Sequence, residues 1–270
     1  YEAQIKLAEA KPVFVSGELE NDFKVTPEQV RKAITPKTKV VLFSSPCNPT
    51  GSVFSKKELA DIAEVIKEQE DLYVIADEIY EYINFGIGHT SIASFDGMAE
   101  RTVVVNGLSK GFAMTGWRLG YIAAPTWLAK AASKFQGQIT SGACSITQRA
   151  AVAAVEGPLD APKEMCEAYK HRKELVNRLI GEIDGFRSND PQGAFYIFPD
   201  VSAFFGKSDG KTTIESAFGF AMYLLESCHV SVVSGEGFGA PDCIRISFAA
   251  SDEELKEAFR RIKEAVARLK

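Results

Sequence analysis

Residues 39–80 read KVVLFSSPCNPTGSVFSKKELADIAEVIKEQEDLYVIADEIY, and this stretch decides the fold. KVVLF is an unbroken apolar run that ends in a tight loop. SKKELADIAEVIKEQE has helical spacing, with Ser55 and Glu58 placed as a capping box. LYVIAD is a second unbroken apolar run. A strand with one wet face alternates apolar and polar residues; continuous runs fit strands covered on both faces by helices. Strand, helix and strand in this order predict parallel pairing through a helical crossover.

The same alternation continues outward. Upstream, PVFVSG (12–17) reads as a strand and TPEQVRKAI (26–34) as a helix, with Thr26 and Gln29 as a capping box and Pro27 at the first helical position. Downstream, TVVVNGLS (102–109) and RLGYIAAP (118–125) are further strand-like runs. From about Pro162 the texture changes. APKEMCEAYKHRKELVNRLIGEI (161–183) reads as one long helix with a charged face. The short strands GAFYIFPD (193–200), VSVVSG (230–235) and CIRISFA (243–249) follow, with a helix around TTIESAFGFAMYLLES (212–227) and a capped amphipathic helix at 251–270. The expectation is an α/β layer fold with a mostly parallel sheet, residues 1–162, followed by a small α+β domain, residues 163–270.

The bulk numbers exclude several function classes. With 270 residues, 46% hydrophobic and 25% charged, the composition is that of an ordinary globular chain. A net charge of −5 gives no general attraction to nucleic acid or anionic membrane, so an anionic ligand must be held by local cations. No apolar run is long enough to span a bilayer and no secretory signal is seen. Cys47, Cys144, Cys166, Cys228 and Cys243 are scattered, odd in number and without a C-x-x-C pair; His89, His171 and His229 lie far apart. Reduced, buried thiols in a cytoplasmic protein, and no metal site, are expected. The chain opens YEAQIKLAEAKPVFVSGE, without an initiator methionine, and reads like a start in the middle of a domain.

Ligands of open α/β sheets bind beyond the carboxyl ends of strands, and three motifs fall there. SSPCNPTG (44–51) packs two prolines and a glycine into a rigid loop in which either X-Pro bond could be cis, and presents the amide of Asn48. By itself it reads equally well as a plain turn. In VIADEIY, Asp77 ends an apolar run, so its carboxylate calls for a cationic partner: a neighbouring arginine, or a bound cationic heterocycle. Tyr80, just beyond that strand, would face the same ligand. In NGLSKGFAMTGWRLGY (106–121) Lys110 and Arg118 are the only charges. A lysine among apolar neighbours loses preference for its charged form and becomes a usable amine nucleophile, and an arginine fork suits a phosphate.

Together these motifs resemble the class I/II aminotransferases, the fold-type I enzymes dependent on pyridoxal 5′-phosphate, and most of all their prokaryotic aspartate aminotransferase subgroup. GLSKGFAMTGWRLG is similar to their cofactor-lysine signature, with NPTG and D-x-x-Y upstream in the family's order. The resemblance implies a three-layer large domain and a small C-terminal domain. It makes Lys110 the residue that bonds the cofactor aldehyde and moves the substrate proton, and Asp77 the partner of the pyridine nitrogen. It makes Tyr80 and Asn48 the partners of the ring's phenolic oxygen, Arg118 the phosphate ligand, and Arg245 of IRISFA, with Asn48, the site for the substrate carboxylate. GAFYIFPD resembles a strand bordering that site. The implied reaction moves an amino group between an L-amino acid, first aspartate, and a 2-oxo acid, first 2-oxoglutarate, in a cytoplasmic homodimer. Alternatives are a β-lyase using the same cofactor and a non-catalytic module of the same fold.

Two departures from the family stand out. Many relatives carry a serine three residues before the lysine, where this chain has Gly107. Relatives also carry a segment ahead of the point that matches Tyr1, with a phosphate loop and a ring-stacking aromatic. The expectation is an active parent enzyme, and weak or absent cofactor binding by the 270 residues alone.

Overall fold

A computed structural model describes residues 1–270. Helix α1 (Glu2–Leu7) and α2 (Pro27–Ala33) precede β1 (Val40–Ser44), α3 (Lys56–Lys67), β2 (Tyr73–Asp77), β3 (Thr102–Gly107) and β4 (Gly120–Ala123). Then come α4 (Thr126–Ile139), α5 (Ser145–Glu156), α6 (Asp160–Gly181), β5 (Tyr196–Ile197), α7 (Ala217–Cys228), β6 (Val233–Ser234), β7 (Ile244–Ser247) and α8 (Asp252–Val266). The first sheet has the order β1-β2-β3-β4; its first three strands are parallel and β4 is antiparallel. The second sheet, β5-β7-β6, is antiparallel. No helix is long and apolar enough to cross a membrane.

Local chemistry fixes the elements that matter most. The capping boxes at Thr26–Gln29 and Ser55–Glu58 form as expected, and Ser251–Glu254 makes a third ahead of α8. Each satisfies backbone N–H groups that a helix start leaves open, worth about 1 kcal/mol. Leu59, Ile62, Ala63 and Ile66 of α3 pack on Leu72, Val74 and Ala76. A separate, larger core joins α6, α7, β7 and α8 through Leu175, Val176, Phe220, Leu224, Ile244, Phe259 and Ile262. Burying such side chains contributes about 1.5–3 kcal/mol each. A small cluster of Tyr80, Ile83, Ala194 and Tyr196 connects the residues after β2 to β5.

Several expectations need correction. PVFVSG forms no strand: no chain pairs with it, and Val13 and Phe14 are 66% and 68% exposed. An apolar run becomes a strand only where a neighbour takes its N–H and C=O groups. All of β4 is exposed, so not every strand is covered on both faces. Helices α4 and α5 were not anticipated; α4 buries no residue and α5 only Thr147. The long helix expected over 161–183 is present as α6, Asp160–Gly181. The five thiols are free, but only Cys243 is buried and Cys144 is exposed.

Candidate active site

Parallel pairing places Ser44 beside Asp77 and Asp77 beside Val105, so the loops after β1, β2 and β3 leave the same edge of the sheet. Asn48, Tyr80 and Lys110 each follow one of these ends. The β1 loop is tied by Cys47 N–H to Ser52 O and Gly51 N–H to Cys47 O, both 2.9 Å, and its Ser45–Pro46 and Asn48–Pro49 bonds are cis. Gly51 has φ +68°, and a Cβ there would lie 2.6 Å from the Cβ of Pro191. Only glycine suits that turn.

The loop delivers Asn48 to the C-terminal sheet. Arg245, on β7, donates from Nη1 to Asn48 Oδ1 at 2.7 Å. Its guanidinium lies 4.4 Å from the ring centre of Tyr196 and 5.1 Å from that of Phe238. Its Nε is buried with no hydrogen-bond partner. A stacked guanidinium with an unused buried donor is suited to a planar anion such as a carboxylate.

Asp77 is half-buried at the end of β2. Its Oδ1 accepts from Ile79 N–H at 3.2 Å, and its Oδ2 accepts from the Tyr1 hydroxyl. Neither an arginine nor a lysine pairs with it; the partner is a phenol 76 residues away in the chain, beyond the reach of any local pattern. Burial and then the bond to Asp77 hold the Tyr1 phenol well above its usual range. Tyr80 is 3% exposed and its hydroxyl lies 3.1 Å from that of Tyr196. Burial first, then this contact, raises the Tyr80 phenol too.

Lys110 sits on the turn beyond β3 with its Nζ 5.8 Å from the ring centre of Tyr80 and 5.5 Å from that of Phe195. Partial burial, and then the charges of Arg245 and Arg118, lower its pKa. The free amine, which is the nucleophilic form, is thereby favoured. The turn is close-packed: a Cβ on Gly111 would lie 2.6 Å from the Tyr82 ring. Arg118 is exposed in the left-handed region, φ 54°, with Nη1 donating to Thr115 O at 2.9 Å. It lines an open cavity of about 530 Å³ with Trp117, Thr140, Cys144 and Thr147.

Gly107, where many relatives have serine, has no room for a side chain. A Cβ there would lie 2.9 Å from Gly120 Cα and from Leu119 O. Ser109 is half-buried nearby.

The sequence reading missed Tyr1, Phe195, Tyr196 and Phe238. Within GAFYIFPD nothing marked which aromatic faces the site, because a short apolar strand looks alike on both faces. His89 pairs with acidic groups. His89 Nε2 lies 2.8 Å from Glu78 Oε2 and 4.0 Å from Glu81 Oε2. Glu78 is buried, and this pairing gives it the partner that a buried carboxylate needs.

The donor set fits pyridoxal phosphate. It comprises an amine of lowered pKa, a carboxylate without a cationic partner, a buried phenol, an amide and two guanidiniums, one with an orphaned buried N–H. The amine would meet the aldehyde, the carboxylate the protonated ring nitrogen, the phenol and the amide together the phenolic oxygen, and the two guanidiniums the phosphate and a substrate carboxylate.

The chain as a whole is similar to known proteins. The family Aminotransferase class I and II matches residues 1–262. The aspartate aminotransferase of Bacillus subtilis is 42% identical over 268 residues, 98% of this chain and 67% of that protein. The bifunctional aspartate aminotransferase and glutamate/aspartate-prephenate aminotransferase of Petunia hybrida is 43% identical over the whole chain, which spans 57% of that protein. The crystal structure of the aspartate aminotransferase from Rhizobium meliloti superposes with a TM-score of 0.96 at 39% identity, covering 100% of this chain and 68% of that one. This chain therefore spans between just over half and about two thirds of these relatives' length, and it belongs to the class I and II aminotransferase family.

Proposed function

We propose that this chain is the larger part of a pyridoxal phosphate-dependent aminotransferase that moves the amino group of L-aspartate to 2-oxoglutarate. In this reading residues 1–162 belong to a three-layer large domain and 163–270 form the small domain, and the intact protein is a homodimer. Bound pyridoxal phosphate would supply an aldehyde for a lysine amine and a ring that takes up the electron pair left when the substrate loses its Cα proton.

The chain's own residues supply the rest. Lys110 would hold the cofactor through Nζ and, once released, move the proton from the substrate Cα to the cofactor carbon that had carried the aldehyde. Its lowered pKa leaves Nζ able to accept that proton. Asp77 keeps a proton on the ring nitrogen. Tyr80 and Asn48 hold the phenolic oxygen, and Arg118 holds the phosphate. Arg245 binds the substrate carboxylate, with Asn48 fixing the guanidinium in its plane.

The observation that carries this reading is the approach of Lys110 and Arg245 to one aromatic wall, Tyr80, Phe195 and Tyr196, from two different sheets. An amine nucleophile and a carboxylate anchor then approach the same group of aromatic rings. Aspartate is the chosen donor because relatives at about 40% identity carry that name. Incubating the full-length protein, loaded with pyridoxal phosphate, with aspartate and 2-oxoglutarate should yield oxaloacetate and glutamate. Pyruvate and ammonia from a cysteine conjugate, without transfer, would contradict it.

A further inference from the structure

Tyr196 stands between the two halves of the site. Its hydroxyl lies 3.1 Å from the Tyr80 hydroxyl, and the Arg245 guanidinium stacks on its ring at 4.4 Å. It is 7% exposed on β5, which pairs directly with β7, the strand of Arg245. The Tyr80 and Tyr196 rings meet edge to face at 6.0 Å, and the neighbouring Phe195 closes on both. Neither hydroxyl has a second protein partner, so the two phenols depend on each other.

Each phenol has one proton to give. If Tyr80 gives its proton to Tyr196, it offers a ligand only lone pairs. If Tyr196 donates, the Tyr80 proton is free to point at an acceptor beside Lys110. The Arg245 guanidinium stacked on the Tyr196 ring holds that ring in place, and with it the hydroxyl that meets Tyr80. Donor and acceptor in a chain of hydrogen bonds then reinforce one another.

We propose that Tyr196 is a positioning residue that couples the carboxylate-binding arginine to the cofactor-facing phenol: its hydroxyl donates to Tyr80, and its ring carries Arg245. This rests on the reading of Tyr80 and Arg245 given above. The two tasks separate by substitution. Tyr196→Phe keeps the stack and removes the donor; Tyr196→Leu removes both.

The test uses the full-length protein loaded with pyridoxal phosphate and needs no turnover. One readout is the pH midpoint of the visible absorption band of the lysine-bound cofactor. The other is the dissociation constant of a dicarboxylate probe, maleate. A weaker donor on the phenolic oxygen leaves more negative charge there to hold the adjacent proton, so the midpoint moves up. Tyr196→Phe should raise it by roughly 0.5–1 unit, the size of one neutral hydrogen bond, with maleate affinity within about twofold. Tyr196→Leu should raise it similarly and also weaken maleate by roughly fivefold, the loss of one partly buried cation–π contact. An unmoved midpoint in the phenylalanine variant, or equal maleate affinity in the two variants, overturns the proposal while the parent reading stands. A wild-type protein that gives no visible band, or binds no maleate, overturns the parent reading and this proposal with it.

Discussion

Arg245 on β7 and Asn48 in the loop after β1 are 2.7 Å apart, Nη1 donating to Oδ1, although they lie 197 residues apart in the chain. The bond ties the edge of the parallel sheet to the C-terminal sheet at the place where a substrate carboxylate would enter. It also sets the plane in which the unused Nε is presented.

Removing that bond should weaken carboxylate binding more than it slows chemistry. Asn48→Ala is expected to raise KM for aspartate by roughly tenfold, the worth of a hydrogen bond to a charged group. Arg245→Lys should do more, since an ammonium cannot reproduce a stacked fork. Steady-state kinetics of the full-length protein check both; an unchanged KM in either would place the carboxylate elsewhere.

The pH behaviour of Lys110 follows from its lowered pKa, caused by burial and by Arg245 and Arg118. Between the folded value and the ordinary value near 10.4 the unfolded chain holds more protons than the folded one, so the contribution of Lys110 to stability improves as pH rises through that window. In the cofactor-free protein its amine should also react ahead of exposed lysines. Competitive acetylation over a pH series, read by peptide mass, should place the Lys110 midpoint below that of Lys57, whose contact with Asp61 raises its pKa.

Gly107→Ser should destabilise the fold rather than restore a missing phosphate ligand. The added Cβ meets two adjacent backbone atoms, Leu119 O and Gly120 Cα, at 2.9 Å, and paired backbone cannot yield cheaply. A loss of about 1–3 kcal/mol is expected, read as a lower midpoint in thermal or urea unfolding.

Ser251→Ala removes the cap of α8, where Ser251 and Glu254 satisfy each other's backbone N–H groups. With Phe259 and Ile262 anchored in the C-terminal core, the helix stays in place and the cost should be about 1 kcal/mol. The same unfolding measurement reads it, and catalysis should be unaffected.

Much of the fold was legible because its signals are local. Unbroken apolar runs marked β1, β2 and β3, and paired Ser/Thr and Glu/Gln residues marked the helix starts. PVFVSG failed because strand formation is decided by a partner that the run itself does not encode. Helices α4 and α5 escaped because neither starts on a capping side chain: Pro125 and Cys144 stand at their N-caps without a side-chain hydrogen bond. In the candidate site, Lys110, Asp77 and Asn48 were visible as unusual residues at strand ends. Tyr1 and Tyr196 were not, since an aromatic in a short apolar segment carries no sign of which group its hydroxyl meets across the fold.

The account stands or falls on Lys110 as the covalent anchor. Full-length protein incubated with pyridoxal phosphate, reduced with borohydride and digested should yield one pyridoxyl-labelled peptide, containing GLSKGF with the label on Lys110. The Lys110→Ala protein should show neither label nor transamination. A label on another lysine, or turnover retained without Lys110, would contradict it.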